Sequence, residues 1–239
     1  MKGVVLAGGT GTRLRPLTAI TNKHLLPVYD RPMILYPIET LKRSGVSDIM
    51  LVCGREHAGH FIRFLGSGKE WGVKLSYAVQ DTDNGGIADA LSYAEDFADD
   101  QSIAVILGDN IFEKDFETAV NSFQKGAKVF FKEVADAKRF GVPVISEDKK
   151  TVLRIEEKPE NPQSPYAQVG FYIVDADVFS YIRDLKPSGR GELEMTDLIN
   201  RYIEKSLLGF ELLDGAWFDT GTFESLFSAT EFIRKLHMK

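Results

Sequence analysis

The sequence predicts an α/β fold built around a doubly wound mixed sheet, and three observations lead to that prediction. Short apolar segments alternate with amphipathic segments in the first half of the chain, as in parallel sheets covered by helices on both faces. In the second half, apolar segments flank a tight turn, which is typical of antiparallel strands. With 239 residues, of which 44% are hydrophobic, the chain can bury roughly 70% of its unfolded surface without disulfides.

In the first half, strands and helices are expected to alternate. Strands are expected over residues 4–7, 48–52 and 103–107, which are short and apolar, and over residues 74–80, where apolar and polar residues alternate. Helices are expected over residues 32–43, 56–65 and 86–97, with Ser44 and Gly45 ending the first. Phe61 and Leu65 recur at helical spacing in the second helix, which gives it one apolar face.

The second half changes character. Strands over residues 142–146 and 152–157 flank the polar turn 147–150, and a further strand is expected over 169–174. Helices are expected over residues 175–185, 195–204 and 222–236. We expect one domain over residues 1–239, in which halves of about 1–135 and 136–239 share a sheet and form a cleft.

The net charge of −6 argues against binding to nucleic acid, but the charge is unevenly distributed. Residues 1–43 carry seven Lys and Arg against two Asp and Glu, a net +5, so the remainder carries −11. A basic segment on an acidic body can bind a small phosphate ligand while the rest of the surface repels polymeric ones.

Cysteine content and hydropathy indicate where the protein works. The single cysteine, Cys53, cannot form an internal disulfide, which fits a reducing compartment. No apolar run approaches the roughly 18 residues of a membrane-spanning helix. We therefore expect a soluble cytoplasmic protein with no membrane or nucleic-acid partner.

The strongest local motif is the glycine-rich segment of residues 6–16, which directly follows the first strand. Glycines let backbone N–H groups approach phosphate oxygens, and Arg13 and Arg15 add positive charge. The alternative is an ordinary tight turn. Leu14 occupies the place of the third glycine in the dinucleotide fingerprint, so the motif predicts a phosphate site rather than a nicotinamide site.

Two aspartates are candidate ligands of a divalent cation. Asp109 follows a buried strand, at the sheet edge where α/β proteins bind ligands, and Asp219 precedes a helix. Mg²⁺ prefers one or two carboxylates, with substrate phosphates completing its shell. Aspartates also cap helices, and the sequence leaves that alternative open. Lys23 could meet the same phosphates as Arg13 if the loop between them folds back.

Three further charged residues are ambiguous on their own. Glu157 and Lys158 close a predicted strand, where they form either an ordinary surface pair or a group that binds hydroxyls and phosphate. Arg190 lies in a glycine-containing loop and could hold a second phosphate group.

Taken in order, these segments resemble a known family. The matching segments are residues 6–16, 23–28, 107–110, 156–159, 190–197 and 217–222. The set is similar to the sugar-1-phosphate nucleotidylyltransferases, most closely the glucose-1-phosphate thymidylyltransferases, over nearly the whole chain. The resemblance implies a Rossmann-like doubly wound mixed sheet with antiparallel strands added in the second half.

The resemblance also implies a role for each candidate residue. It makes Arg13, Lys23 and Asp109 catalytic, and Asp109 and Asp219 the ligands of Mg²⁺. The residues implied to bind the nucleotide are Leu6, Gly8, Gly9, Gly11, Thr12, Gln80, Gly85 and Gly86. Those implied to bind the sugar phosphate are Gly141, Glu157, Lys158, Tyr172 and Arg190.

The implied reaction joins dTTP and α-D-glucose 1-phosphate to give dTDP-glucose and pyrophosphate, by in-line attack on the α-phosphate. The alternatives are the same chemistry with UTP or another hexose 1-phosphate, or a catalytically silent subunit that binds nucleotide sugars. Two departures bear on the sugar: the chain has Phe140 where the family commonly has Tyr, and Gln168-Val169 where it commonly has Val-Thr. We expect a monomer or a small homo-oligomer.

Overall fold

The computed structural model describes residues 1–82 and 85–238, which fold into strands and helices in the following chain order. The strands of the first half are β1 (Lys2–Ala7), β2 (Pro27–Val28), β3 (Arg31–Pro32), β4 (Asp48–Gly54), β5 (Lys74–Gln80), β6 (Ile103–Leu107), β7 (Asn110–Phe112) and β8 (Ala127–Glu133). Those of the second half are β9 (Gly141–Ile145), β10 (Val152–Glu157), β11 (Tyr166–Val174), β12 (Leu208–Leu212) and β13 (Trp217–Asp219).

The helices lie between these strands in the chain, except the last, which follows β13. They are α1 (Leu35–Arg43), α2 (Ala58–Leu65), α3 (Ile87–Ser92), α4 (Glu95–Ala98), α5 (Glu117–Ser122), α6 (Asp177–Asp184), α7 (Met195–Glu204) and α8 (Phe223–His237). The last of these begins with a capping box, because the Thr222 side chain accepts from the Ser225 N–H while the Ser225 side chain accepts from the Thr222 N–H. None of the described helices is long and apolar enough to cross a membrane.

A seven-stranded sheet forms the centre, in the order β12-β8-β11-β6-β1-β4-β5. The β1, β4, β5 and β6 strands are parallel to one another, while β11 runs antiparallel to both β6 and β8. The β9 and β10 strands form a separate antiparallel pair. The predicted fold class, a doubly wound mixed sheet with antiparallel strands in the second half, is therefore confirmed.

Both faces of the sheet are buried under helices. Along β1, Val4 and Leu6 point into one apolar cluster with α3, α6 and α7, while Val5 and Ala7 point into another with α1, α2 and α5. This double burial explains why the inner parallel strands β1, β4 and β6 are mostly apolar rather than alternating, unlike the edge strand β5. Cys53 lies fully buried in the second cluster.

The prediction of one continuous helix over residues 86–97 is wrong. The segment 86–97 forms two short helices, α3 and α4, instead of one. The Ser92 hydroxyl donates to the Asp89 carbonyl at 2.7 Å, which gives the backbone a local alternative to helical hydrogen bonding. Asp99, with φ of +54°, then ends the second helix.

Several strands lay outside the predicted elements. The β8 strand, whose apolar centre is Val129-Phe130-Phe131, pairs with both β11 and β12, and together with the pairing of β6 and β11 it places both halves in one sheet. The three-residue β7 and β13 pair with each other, placing Asp219 opposite Asn110. This short pairing decides the geometry of the site.

Candidate active site

A cavity of about 590 Å³ opens at the carboxyl ends of β1, β5 and β6, where open α/β sheets bind their ligands. Most of the predicted site residues line it: Leu6, Gly8, Gly9, Arg13, Lys23, Gln80, Gly85, Gly86, Asp109, Gly141, Glu157, Lys158, Tyr172, Arg190 and Asp219. Gly11 and Thr12 lie outside this wall. Residues that are distant in sequence therefore converge on one space.

The glycine-rich loop folds back on itself, as the site requires. Gly9 and Gly11 adopt left-handed backbone angles, with φ of +92° and +60°. A Cβ on Gly11 would lie 3.2 Å from the Lys23 Cβ, so only glycine lets the two ends of the loop approach so closely. Gly11 thus shapes the loop from behind the wall.

Lys23 and Asp109 form the charged centre of the cavity. The Lys23 Nζ lies 2.5 Å from Asp109 Oδ2, and Asp109 Oδ1 accepts from the Asn110 side chain at 3.0 Å. Burial alone raises the pKa of Asp109, but the Lys23 ammonium outweighs burial and holds that pKa well below its usual range. Asp109 is therefore a carboxylate at any physiological pH.

The pairing of β7 with β13 brings the second aspartate to this centre. Asp219 lies opposite Asn110 in the ladder, and the next residue, Thr220, donates its N–H and its hydroxyl to the Asp109 carbonyl at 2.9 and 2.7 Å. Burial, with the negative charge of Asp109, raises the pKa of Asp219 to about 6. Two carboxylates that resist ionising together face the same space.

This pair fits a divalent cation. The described residues contain no cluster of three or more His, Cys, Asp or Glu that could hold a metal by themselves. Mg²⁺ is bound in just this way in nucleotide sites, by one or two carboxylates together with substrate phosphates. A cation between Asp109 and Asp219 would also relieve the repulsion that raises the pKa of Asp219.

Arg13 approaches the same centre from the glycine-rich loop. A Cβ on Gly221 would lie 2.7 Å from the Arg13 guanidinium and 3.3 Å from Asp219 Oδ1. Glycine at position 221 therefore leaves the space through which Arg13 reaches the carboxylates. Nothing in the sequence analysis had singled out Gly221.

At one end of the cavity the Gln80 side chain is held in a fixed orientation. Gln80 Nε2 donates to Asp89 Oδ2 at 2.7 Å, and the Thr82 hydroxyl donates to the same oxygen. Gln80 Oε1 is turned toward Gly8, whose Cβ would lie 2.8 Å from it. Gly86, with φ of +89°, continues the wall beside it. We call this part of the cavity the base end.

At the opposite end, acidic and basic side chains surround a polar wall, and we call this the sugar end. Glu157 Oε2 accepts from the Thr196 hydroxyl at 2.5 Å, and Glu157 Oε1 lies 3.3 Å from the Lys158 Nζ and 3.7 Å from Arg190. Lys158 itself adopts a left-handed φ of +44° at the end of β10. Tyr172 lies on the same wall, and burial holds its pKa above the usual range.

Sequence reasoning missed several residues of the wall. They are His24, Asn110, Arg139, Gly170, Glu194, Thr196 and Trp217, among others, while Phe140 and Gln168 had been named only as departures from the family pattern. Many are neighbours of predicted residues, so position along the chain was the available signal. His24 is fully buried: burial lowers its pKa to about 3, and its Nδ1 donates to Asn22 Oδ1 at 2.7 Å.

Asn110 ties three elements together at the charged centre. Its Oδ1 accepts from the Gly170 N–H at 3.0 Å and from the Trp217 indole at 2.7 Å. Because these partners lie on β11 and β13, the one amide fixes the position of both strands relative to Asp109. This is a positioning network rather than a set of substrate contacts.

Comparison with known proteins agrees with this geometry. Residues 2–235 match the family described as nucleotidyl transferase. A glucose-1-phosphate thymidylyltransferase of Actinoplanes sp. is 43% identical over 99% of this chain and 79% of that protein. The corresponding protein of Neisseria meningitidis is 42% identical over 98% of this chain and 83% of its own length.

Solved structures show the same relationship. A structure described as a glucose-1-phosphate thymidylyltransferase from Bacillus anthracis in complex with a sucrose is similar with a TM-score of 0.93. It is 49% identical, covering 98% of this chain and 95% of that one. A UDP-glucose pyrophosphorylase complexed with UDP-glucose is 25% identical with a TM-score of 0.85, covering 98% of each chain. The chain belongs to the nucleotidyl transferase family.

Proposed function

We propose that the chain is a glucose-1-phosphate thymidylyltransferase that converts dTTP and α-D-glucose 1-phosphate to dTDP-glucose and pyrophosphate. The observation that carries the proposal is the convergence of Arg13, Lys23, Asp109 and Asp219 between the base end and the sugar end of one cavity. The names of the relatives support the choice of base and sugar.

The proposed step is a single displacement. An oxygen of the sugar phosphate attacks the α-phosphorus of dTTP, and the bond to the bridging oxygen breaks, so the electron pair leaves with pyrophosphate. Such a transfer depends on positioning and charge stabilisation more than on covalent chemistry. The site therefore needs no nucleophile of its own, and the buried Cys53 thiol, whose pKa burial raises to about 11, plays no part.

Each residue of the charged centre has a distinct task in this proposal. Lys23 places an ammonium beside the α-phosphate, where negative charge grows during attack. Arg13 holds the departing pyrophosphate from the glycine-rich loop. Asp109, already ionised, orients Lys23 and holds the metal together with Asp219.

Nucleotidyl transferases of this family generally use a divalent metal. We propose Mg²⁺, held by Asp109 and Asp219 with phosphate oxygens. When bound, the cation neutralises charge on the phosphates.

The two ends of the cavity supply recognition. The nucleotide lies along Leu6, Gly8 and Gly9 with its base against Gln80, while backbone at Gly85 and Gly86 closes the base end. Glu157 accepts from sugar hydroxyls. Lys158 and Arg190 hold the phosphate of the sugar, and Gly141 and Tyr172 form the wall beside them.

All these residues belong to one chain, so we propose that a single copy holds a complete site and that residues 1–239 act as one domain. A monomer or a small homo-oligomer fits this arrangement. We propose that the protein acts in the cytoplasm, which is consistent with its proposed substrates, a nucleoside triphosphate and a sugar phosphate, and with its buried free cysteine.

The test is a pyrophosphate-release assay with four nucleoside triphosphates and several sugar 1-phosphates, with and without Mg²⁺. We expect the highest kcat/KM for dTTP with glucose 1-phosphate, and dTDP-glucose as product. Preference for UTP would move the protein toward the pyrophosphorylases that make UDP-sugars. Silence with every pair would identify a subunit without catalytic activity.

A further inference from the structure

One side chain on the cavity wall has a hydrogen-bonding group with no partner. Gln168 lies on β11 and is 7% exposed, and its Nε2 has no hydrogen-bond partner among the described residues. Leaving a buried amide group without a hydrogen-bond partner destabilises the folded protein. An amide in this state at the wall of a ligand cavity is a candidate hydrogen-bonding group for a ligand.

The backbone of β11 directs Gln168 toward the sugar end. Along this strand, Val169 and Phe171 point into the apolar cluster on one face, while Gln168, Gly170 and Tyr172 line the cavity on the other. A Cβ on Gly141 would lie 2.9 Å from Gln168 Oε1 and 3.1 Å from Thr196 Oγ1. The glycine therefore leaves room beside the carboxamide.

The polar groups around Gln168 are occupied with one another. The Thr196 hydroxyl donates to Glu157 at 2.5 Å, and the same carboxylate lies 3.3 Å from Lys158. The carboxamide of Gln168 is neutral and brings one donor group and one acceptor, so it matches a hydroxyl rather than a phosphate.

We propose that the carboxamide of Gln168 forms a hydrogen bond with one hydroxyl of the sugar 1-phosphate and makes the enzyme selective for sugars that carry it. This inference rests on the proposed function and deepens it. An aliphatic side chain at this position would form a wall that cannot discriminate between a sugar and its deoxy analogue.

The first test is the variant Gln168→Met, which keeps the length of the side chain and removes both polar atoms. We expect KM for glucose 1-phosphate to rise about tenfold, because one hydrogen bond to a buried group is lost, with KM for dTTP unchanged. Gln163→Met is the matched control, since Gln163 is exposed and its Nε2 donates only to the nearby Asn161 carbonyl. This control should behave as the original enzyme.

The second test uses glucose 1-phosphates that lack the 2-, 3-, 4- or 6-hydroxyl. The original enzyme should lose about tenfold in kcat/KM with the analogue that lacks the hydroxyl bound by Gln168. Gln168→Met should show no further loss with that analogue, while the other three affect both enzymes alike. This non-additivity on one analogue is something that a merely structural role would not produce.

Three outcomes decide the matter. An unchanged KM for the sugar in Gln168→Met would overturn the inference, as would equal losses with all four analogues or a parallel rise in KM for dTTP. The failure of the proposed function is distinct, because the original enzyme would then release no pyrophosphate with any substrate pair.

Discussion

The two ends of the cavity each carry a glutamine, but the protein treats the two side chains differently. At the base end, Gln80 is 8% exposed and its Nε2 donates to Asp89 at 2.7 Å. At the sugar end, Gln168 is 7% exposed and its Nε2 has no partner among the described residues. Burial is equal, and only the hydrogen bonding differs.

This difference shows two ways to build specificity. Asp89 fixes the orientation of the Gln80 amide before any ligand arrives, which leaves Oε1 to accept from a donor such as the N3–H of thymine or uracil. Cytosine has an acceptor at that position, so we expect it to be disfavoured. The Nε2 of Gln168 is left without a hydrogen-bond partner, so an empty or poorly filled sugar end is higher in free energy than a filled one.

The largest effect is expected at the charged centre, which both ends share. Arg13→Ala should lower kcat by more than about 100-fold, or roughly 2.7 kcal/mol, because the departing pyrophosphate loses its cation. The loss should be similar for every base and sugar, since the proposal places Arg13 against the pyrophosphate group that all the nucleotides share. Steady-state pyrophosphate release measures it.

Arg15→Ala is the control for that variant. Arg15 lies two residues further along the same loop and is exposed, outside the cavity wall. It should retain nearly full activity. Near-normal turnover in Arg13→Ala would contradict the shared role of the centre.

The next effect is expected at the base end. Gln80→Met should raise KM for dTTP about tenfold and leave KM for glucose 1-phosphate unchanged, because a hydrogen bond to the base is removed. Initial rates at saturating concentrations of the second substrate give both constants. A rise in KM for glucose 1-phosphate instead would mean that the sugar, and not the base, binds at the end that carries Gln80.

A smaller effect should follow when the support of Gln80 is altered. Asp89→Asn offers the Gln80 amide a donor as well as an acceptor, so the amide can turn over and the preference for dTTP over dCTP should fall several-fold. Asp96→Asn, at an exposed position in α4, is the matched control. Unaltered base preference in Asp89→Asn would mean that Gln80 needs no fixed orientation.

The last prediction concerns stability rather than turnover. Asp219 has its pKa raised to about 6, so folding disfavours its ionised form, and the cost grows as pH rises from about 4 to about 6. Below that window both states are protonated and the cost vanishes. Above it the cost is about 3 kcal/mol.

Asp219→Asn should therefore raise the Tm measured in EDTA by roughly 6–12 °C at pH 7.5. The gain in Tm should shrink toward zero near pH 4. We expect this gain in stability even though the variant loses activity. Thermal unfolding of the two proteins across this pH range tests it. A gain independent of pH would show that charge repulsion at the centre is not its source.

The sequence predicted the sheet and most of its elements because long periodic segments carry a clear signal. The β6 strand and the α7 helix were predicted with the bounds that the structure has. The three-residue β7 and β13 could not be predicted, since so short a segment has no period. Yet their register places Asp219 beside Asn110. Convergence of the two aspartates followed only from resemblance to a family.

The contrast between the two glutamines was also beyond the sequence. Gln168 lay one residue before the predicted strand of residues 169–174, whereas β11 begins at Tyr166 and carries Gln168 into the wall. Which buried amide finds a partner depends on residues brought together by the fold. Asp89, the partner of Gln80, had been expected only as part of a helix.

The central claim is that the two ends recognise base and sugar independently around one charged centre. The double variant Gln80→Met with Gln168→Met tests this most directly through kcat divided by the product of the KM values for dTTP and glucose 1-phosphate. Independent sites predict that the loss in the double variant equals the product of the two single losses, about 100-fold. A double variant no worse than either single variant would contradict the account, because the two glutamines would then act as one unit.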